Sequence, residues 1–382
     1  MKKKLLLFLS YVLVAALSTA ITLGIVYRYD LGSSKLEELS GIIADFYIED
    51  VDMTALEDTA AEAMVKAAGD RWSYYIPASQ YASYKETSEN AYVGIGITIT
   101  VAHDGDGLQV MQVNPGSSAE EAGILVDDVI IAIAGQSTSG MTTIDARNLV
   151  RGKEGTAVEI TVRRDGEKIT MSVERRTVQT PVATWEMRED HVGLITIANF
   201  DARCASETIS AIETLLADGA EKLIFDVRNN PGGFADELVK LLDYLLPEGE
   251  LFRTVDYAGR EDVDHSDADF LDVPMVVLVN AESYSAAEFF AVALQEYGAA
   301  TVVGEKTSGK GYFQTTFSLS DGSAVALSIG KYFTPNGISL EGVGITPDVE
   351  VIVDEETMIS IYYSQLEPEE DPQILAALET LK

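Results

Sequence analysis

Two segments of this sequence contain residue types that could act as a nucleophile and as a general base. One contains two serines, and the other contains a lysine. The first place follows the apolar stretch 276–279, which ends at Asn280 and leads into a helix-forming stretch that contains Ser283 and Ser285. A serine at a strand-to-helix junction is lifted out of the sheet, and the amides of the helix N-terminus lie close to its hydroxyl. Either serine would also serve as an ordinary helix cap. This stretch alone therefore does not decide between a nucleophile and a cap.

The second place is Lys310, which lies between Gly309 and Gly311. Glycines on both sides allow the backbone of the lysine to approach another chain segment closely. No histidine lies near either place, so a serine nucleophile would need another general base, and a lysine can serve if burial lowers its pKa. A lysine in an ordinary surface loop is the alternative. An unperturbed lysine has a pKa of about 10.4 and is protonated near neutrality. The mechanism therefore requires surroundings of low polarity, which lower the lysine pKa.

The composition excludes several other classes of protein. The 382 residues include 27 Lys+Arg and 62 Asp+Glu, a formal net charge of −35 that disfavours nucleic acid as a partner. Cys204 is the single cysteine, and the three histidines at 103, 191 and 265 are far apart, so the common zinc motifs are absent. We expect no metal and no cofactor. The length allows two or three domains.

The N-terminus is predicted to be a membrane segment. Three lysines at positions 2–4 precede an uncharged, largely apolar run over 5–27, which is long enough to span a bilayer as a helix. The lysines predict a cytoplasmic N-terminus, with everything after residue 30 exported. We assign 1–30 as a signal anchor or transmembrane segment. A signal peptide cleaved near the small residues 16–20 is the alternative.

The exported part divides into four regions by pattern. Apolar residues at helical spacing predict a helical region over 34–89, and strand alternation with many glycines predicts a β-rich module over 90–178. Strands then alternate with helices over 179–354, which indicates a layered α/β core. Residues 355–382 form a C-terminal tail that we expect to pack on this core. The predicted fold class is therefore α/β, or α+β when the several domains are classified together.

Four motifs in the β-rich module occur in a particular order. They are the glycine loop 92–97, the turn and short helix 114–124, the turn and apolar strand 127–133, and the segment 148–156 that leads into a strand. In this order they resemble a PDZ domain of the circularly permuted type found in bacterial proteases. The resemblance implies that Gly94, Ile95, Gly96 and Ile97 receive the C-terminal carboxylate of a substrate, whose backbone pairs with the adjacent strand. A module that only packs against its neighbours is the alternative.

The larger set of motifs resembles the C-terminal processing, or tail-specific, proteases. The motifs are residues 226–233, the segment around Ser285, residues 309–314, and the glycine-rich stretches 332–337 and 342–348, all in family order over roughly residues 35–382. The resemblance implies a serine endopeptidase with an embedded PDZ domain and a core of the ClpP/crotonase type. Two residues depart from the usual family motif. Tyr284 stands where a small residue is usual, and Ala287 stands where serine is frequent.

The resemblance also implies the roles of individual residues. Ser285 would be the nucleophile, Lys310 the general base, and Gln314 the residue that orients the lysine. The oxyanion would be held by the backbone amides of Gly232 or Gly233 and of Ala286. Ser283 and Lys306 are the competing candidates for nucleophile and base.

From these features we expect a membrane-anchored, extracytoplasmic endopeptidase that acts on proteins or peptides with apolar C-termini. Two hypotheses follow from the architecture. If the empty PDZ module lies over the catalytic groove, a substrate tail would shift it and open the site, and the family resemblance suggests a homodimer interface on the N-terminal helices. A catalytically weak PDZ scaffold is the alternative function, and a hydrolase such as an acyl-CoA-processing enzyme on a similar core is a third.

Overall fold

The computed structural model describes residues 14, 17–19, 34–103, 105–362 and 366–382. The chain divides into two compact units, Met1–Pro77 and Ala78–Lys382. Within the described residues, no helix combines the length and the apolar character needed to cross a bilayer. The predicted membrane segment 1–30 lies outside the described residues, apart from positions 14 and 17–19.

The first unit contains the helices predicted from the apolar spacing, α1 (Lys35–Phe46) and α2 (Met53–Ala67), followed by strand β1 (Tyr74–Ile76). Helix α1 begins with a capping box in which Ser34 and Glu37 bond each other's backbone amides. The Asp52 carboxylate caps α2 by accepting hydrogen bonds from two first-turn amides.

Helix α3 (Ala78–Ser88) falls in the second unit, although the sequence predicted it as part of the N-terminal helical region 34–89. The reason is its contacts with a distant strand. The Tyr81 hydroxyl lies 3.0 Å from Ser318 Oγ, and the Tyr84 hydroxyl lies 3.3 Å from Thr316 Oγ1.

The β-rich module is an antiparallel sheet with its own apolar core. Its strands are β3 (Ile97–Val101), β4 (Leu108–Val113), β5 (Val129–Ile133), β6 (Gln136–Ser137), β7 (Ala157–Arg164) and β8 (Glu167–Glu174). They pair in the order β3-β4-β5-β7-β8, with β6 on β5. Strands β2 (Ala91–Gly94) and β9 (Arg176–Gln179) pair antiparallel where the chain enters and leaves the module.

Two helices complete this module, α4 (Ser118–Glu121) and α5 (Thr143–Val150). The motif at 114–124 predicted α4, but α5 was not predicted, because the sequence analysis treated residues 148–156 only as a lead into a strand. A local signal for α5 is present. Thr142 and Asp145 form a capping box, the pattern that marks a helix start.

The α/β core is built on a six-stranded sheet. Its strands are β10 (Ala183–Arg188), β11 (Val192–Ile197), β12 (Lys222–Asp226), β15 (Met275–Val279), β16 (Ala300–Gly304) and β19 (Val349–Glu350), in the order β10-β11-β12-β15-β16-β19. Only β10 is antiparallel to its neighbour. This arrangement agrees with the alternating strands and helices predicted from the sequence.

Alternate side chains of the sheet enter two cores. One face packs with helices α6 (Cys204–Ala217), α7 (Ala235–Leu245) and α8 (Ala286–Glu296). The other face places Ile224, Val276 and Leu278 against Ile374 and Ala377. The last two belong to α10 (Pro372–Thr380), which follows α9 (Glu355–Tyr362) in the C-terminal tail.

A second antiparallel sheet in the core region was not predicted. Its strands are β13 (Gly249–Asp256), β14 (Glu261–Ser266), β17 (Tyr312–Ser318) and β18 (Ala324–Phe333). They pair in the order β17-β18-β13-β14, so strands distant in sequence become neighbours. This sheet carries Gln314.

Candidate active site

The nucleophile candidate Ser285 lies in a tight turn between β15 and α8. It directly precedes α8 with backbone angles φ 58° and ψ −126°, and 9% of its surface is exposed. A non-glycine residue in this region of φ/ψ space costs on the order of 1–3 kcal/mol, and persists only where the surrounding structure holds it. The structure therefore holds a serine with a strained backbone in the turn that follows a buried strand.

The carboxylate of Glu288 holds this turn. Glu288 is fully buried, and its Oε2 accepts hydrogen bonds from the Ser285 amide at 3.0 Å and the Lys310 amide at 2.8 Å. Its Oε1 accepts from the Gly309 amide at 2.8 Å and from the Thr307 hydroxyl at 2.5 Å. One carboxylate oxygen thus joins the backbones of the two residues predicted to perform the chemistry.

The sequence analysis missed Glu288, although a signal for it was present. Ser285 and Glu288 have the spacing of a capping box, in which the acidic residue bonds the amide at the start of the helix. That pattern predicts the Ser285 contact. It does not predict the contacts with residues 307–310, which depend on the tertiary fold.

The glycines beside Lys310 are required by close packing, as their positions suggested. A Cβ on Gly311 would lie 2.5 Å from the Glu341 amide nitrogen, and a Cβ on Gly309 would lie 2.8 Å from the Gly344 amide nitrogen. The Gly311 amide also donates to Glu341 Oε2 at 2.9 Å. The lysine backbone is therefore fixed between Glu288 on one side and the loop 340–344 on the other.

The Lys310 side chain lies near the residue that precedes the nucleophile. Its Nζ is 5.6 Å from the centroid of the Tyr284 ring, within the range of a cation–π contact. Tyr284, one of the two residues that depart from the family motif, therefore places an aromatic ring beside the candidate base.

Gln314 lies on β17, four residues after Lys310. Its Nε2 donates to the Tyr312 carbonyl oxygen and to Ser328 Oγ, both at 3.1 Å. These two bonds fix the amide of Gln314 without reaching Lys310. Its role in orienting the lysine stays a prediction.

The competing candidates have different surroundings. Ser283 is fully buried; its hydroxyl donates to the Val227 carbonyl oxygen at 2.7 Å and accepts from the Asn280 amide at 3.0 Å. Lys306 is exposed. Ser283 thus ties β12 to the turn after β15, which is a structural role.

Gly232 lies directly against the turn that contains Ser285, whereas Gly233 lies against the backbone of Phe200 and Asp201. A Cβ on Gly232 would lie 2.8 Å from the Ala286 amide nitrogen and 2.8 Å from Ser285 Cβ. The Gly232 amide donates to Asn230 Oδ1 at 2.9 Å, so this amide is already engaged. Among the described residues, neither Gly233 nor Ala286 has a hydrogen-bond acceptor for its amide. The geometry therefore favours Gly233 over Gly232 as the partner of Ala286.

A groove about 360 Å³ in volume lies along β3 of the β-rich module. Residues 94–99, which include the predicted Gly94, Ile95, Gly96 and Ile97, line one side of it. Helix α5 lines the other side through Thr143, Ile144, Arg147 and Val150, and Tyr92 and Arg151, which lie beside each other, complete the lining. A groove between a strand and a helix can hold an extended peptide as an added strand.

Comparison with known proteins agrees with this geometry. The profile of Peptidase family S41 matches residues 191–351, and a PDZ domain profile matches residues 109–164. The carboxy-terminal processing protease CtpA of Bacillus subtilis (strain 168) is 34% identical over 365 residues, which cover 92% of this chain and 78% of that protein. This chain belongs to peptidase family S41. It is a serine-type peptidase of the C-terminal processing group, with a PDZ domain.

Two further comparisons extend this result. A probable CtpA-like serine protease of Staphylococcus aureus (strain COL) is 34% identical over 324 residues, which cover 83% of this chain and 64% of that protein. The chain thus spans less than two thirds of the length of this relative. A putative S41 protease from Bacteroides fragilis has a similar fold, with a TM-score of 0.50 at 16% identity over 90% of this chain and 96% of that one.

Proposed function

We propose that this S41 peptidase is a membrane-anchored, extracytoplasmic endopeptidase that holds apolar C-terminal tails in its PDZ groove and cleaves peptide bonds with Ser285 and Lys310. One observation carries the proposal. A single oxygen of the buried Glu288 accepts hydrogen bonds from the amides of both residues, which fixes the two backbones next to each other. A purely structural serine and a surface lysine would not need a shared buried carboxylate.

The chemistry follows from these positions. Neutral Lys310 accepts the proton of the Ser285 hydroxyl as its oxygen attacks the carbonyl carbon of the substrate. The resulting ammonium returns the proton to the leaving amine, and an acyl-enzyme remains on Ser285. The lysine then takes a proton from water as the water oxygen attacks the ester carbon, and returns it to the Ser285 oxygen as that oxygen leaves the new carboxyl group.

The oxyanion formed in each step needs donors that are already in place. The amides of Gly233 and Ala286 are suited to this, because Ala286 directly follows Ser285, Gly233 follows the glycine that packs against Ser285, and neither amide has another acceptor among the described residues. Loss of one such donor in other enzymes lowers the rate by about 10²–10³-fold. Gln314 would orient the lysine when substrate closes the site.

The location and the oligomeric state are further parts of the proposal. The triple lysine and the apolar run 5–27 support an anchor with the peptidase outside the cytoplasm. The apolar face of α1 supports a homodimer, since Leu36, Leu39 and Ile42 are 40–50% exposed. Sedimentation of the full-length protein in detergent at two concentrations tests the dimer.

The catalytic assignment is tested by a matched pair of lysine variants. Lys310→Ala should lower kcat on an unfolded protein with an apolar C-terminus by at least about 10³-fold, since the general base is lost. Lys306→Ala removes an exposed lysine of the same loop and should keep activity within about twofold of the parent. Equal activity of the two variants would refute the role of Lys310.

A further inference from the structure

The groove along β3 differs in charge from the rest of this acidic protein. The chain has 62 acidic and 27 basic residues, yet none of the described residues that line the groove carries a carboxylate. Arg147 and Arg151 both line it, together with apolar side chains and backbone. A groove that is locally basic in a protein of net charge −35 favours an anionic ligand.

The two arginines differ in their partners. The Arg151 guanidinium forms an ion pair with Glu86 at 2.8 Å and lies 5.2 Å from the centroid of the Tyr92 ring. Its charge is therefore already balanced by a carboxylate of the protein. Arg147 is exposed, and within the described part of the chain no carboxylate forms an ion pair with it. Arg147 is therefore the cation of the groove that is available to a ligand.

The direction of α5 places Arg147 along a bound tail. Arg175 Nε donates to the carbonyl oxygen of Val150 at 2.6 Å, and the next residue, Arg176, pairs with Gly94 in the β2–β9 ladder. The C-terminal end of α5 therefore lies at the glycine loop. Arg147 lies one helical turn further from that loop.

A tail added to β3 would present alternate residues to α5. Neighbouring residues of a strand are about 3.3 Å apart and point to opposite faces, so the last residue and the third from last both face the helix, about 7 Å apart. Arg147 lies three residues before Val150, a rise of about 4.5 Å along α5. A last residue beside Val150 thus places the third-from-last residue about 2–3 Å beyond the Arg147 backbone, within reach of its long side chain.

We infer that Arg147 selects substrates whose third-from-last residue is Asp or Glu, followed by any residue and an apolar C-terminal residue. This inference rests on the proposed tail recognition and deepens it, because it names the substrate class. The ion pair would be solvent-exposed, so its contribution to affinity is modest and its main effect is discrimination between tails.

The test measures binding without catalysis, on full-length Ser285→Ala protein in detergent. Three fluorescent ten-residue peptides share an apolar C-terminal residue and differ only at the third-from-last position, which is Glu, Ala or Lys. We expect the Glu peptide to bind about threefold tighter than the Ala peptide and about tenfold tighter than the Lys peptide, as for an exposed ion pair and its reversal. Adding Arg147→Glu should invert this order.

Lys168→Glu is the control, because it makes the same charge change on β8 at an exposed residue outside the groove. It should leave the order of the peptides unchanged. Equal binding of the three peptides, or a Glu preference that survives Arg147→Glu, would overturn the inference while leaving tail recognition intact. If none of the peptides binds, tail recognition itself is wrong, and the lysine comparison above still tests catalysis separately.

Discussion

At the residue scale, Glu288 is the side chain on which the site depends most. It is buried, lies one turn from Ser285, and accepts four hydrogen bonds from residues 285 and 307–310. Hydrogen bonds to a charged acceptor contribute about 1.5–3 kcal/mol each, so the carboxylate is the main local compensation for the strained serine.

Glu288→Gln should therefore impair catalysis more than folding. The glutamine amide must turn its NH₂ group toward one pair of donors, and the two bonds lost there should lower kcat by about 10²-fold and stability by about 3 kcal/mol. The measurement is kcat at a temperature well below the thermal midpoint of the variant, where it is fully folded. Glu296→Gln is the control, because Glu296 lies on the same helix and its carboxylate accepts hydrogen bonds from the Thr334 hydroxyl and the Asn336 amide. A Glu288→Gln enzyme that keeps full kcat would contradict the positioning role.

At the element scale, the loop 199–203 connects the glycine pair 232–233 with the strands that enter and leave the PDZ module. The Phe200 amide donates to the Gly232 carbonyl oxygen at 2.7 Å. Arg203 donates to the carbonyl oxygens of Glu89, Asn90 and Thr180 at 2.8–3.1 Å. A displacement of β2 and β9 would therefore act directly on the backbone that supports Gly233.

Asp201 makes the stability of this loop depend on pH. Burial raises the pKa of the Asp201 carboxyl to about 7, above its value of 3.8 in the unfolded chain. The folded state then binds more protons than the unfolded state between these two values, so the stability contributed by this group falls as pH rises from about 4 to 7. We expect Asp201→Asn to raise the free energy of unfolding relative to the parent more at pH 8 than at pH 5, as measured by urea denaturation. An equal difference at both pH values would show that the Asp201 pKa is not raised.

The elements were predictable from the sequence where the signal is local. The strand at 275–279, the helix after it and the Gly309-Lys310-Gly311 loop follow from apolar runs and glycines. The β17-β18-β13-β14 sheet was not predictable, because its order depends on pairing between distant segments. The sequence also could not show which of Gly232 and Gly233 has an amide without an acceptor, because this depends on where the Asn230 side chain points.

At the scale of the whole molecule, the C-terminal tail is tied to the catalytic sheet by a buried ionic network. Arg228 pairs with Asp226 at 2.6 Å and with Asp371 at 2.8 Å, and only 4% of the Arg228 side chain is exposed. Asp371 caps α10, whose Ile374 and Ala377 cover one face of the sheet. The network therefore connects the end of β12, just before Gly232 and Gly233, with α10.

Arg228→Met should destabilise the protein strongly, because two buried carboxylates lose their partner. Breaking a buried pair from one side typically costs about 3–5 kcal/mol. Chemical denaturation would measure this loss. Arg260→Met is the control, since Arg260 is exposed and, among the described residues, forms its ion pair with Asp256 alone. Its cost should stay below about 1 kcal/mol. Similar losses in both variants would mean that the tail is not held by Arg228.

The central claim is that Ser285 forms the acyl-enzyme, and a trapped intermediate tests it most directly. The full-length protein is mixed with an activated peptide ester, quenched in acid during turnover and digested for mass spectrometry. The account predicts an acyl group on Ser285 in the parent, and neither an adduct nor turnover in Ser285→Ala. An acyl group on Ser283 or another residue, or undiminished turnover by Ser285→Ala, would contradict it.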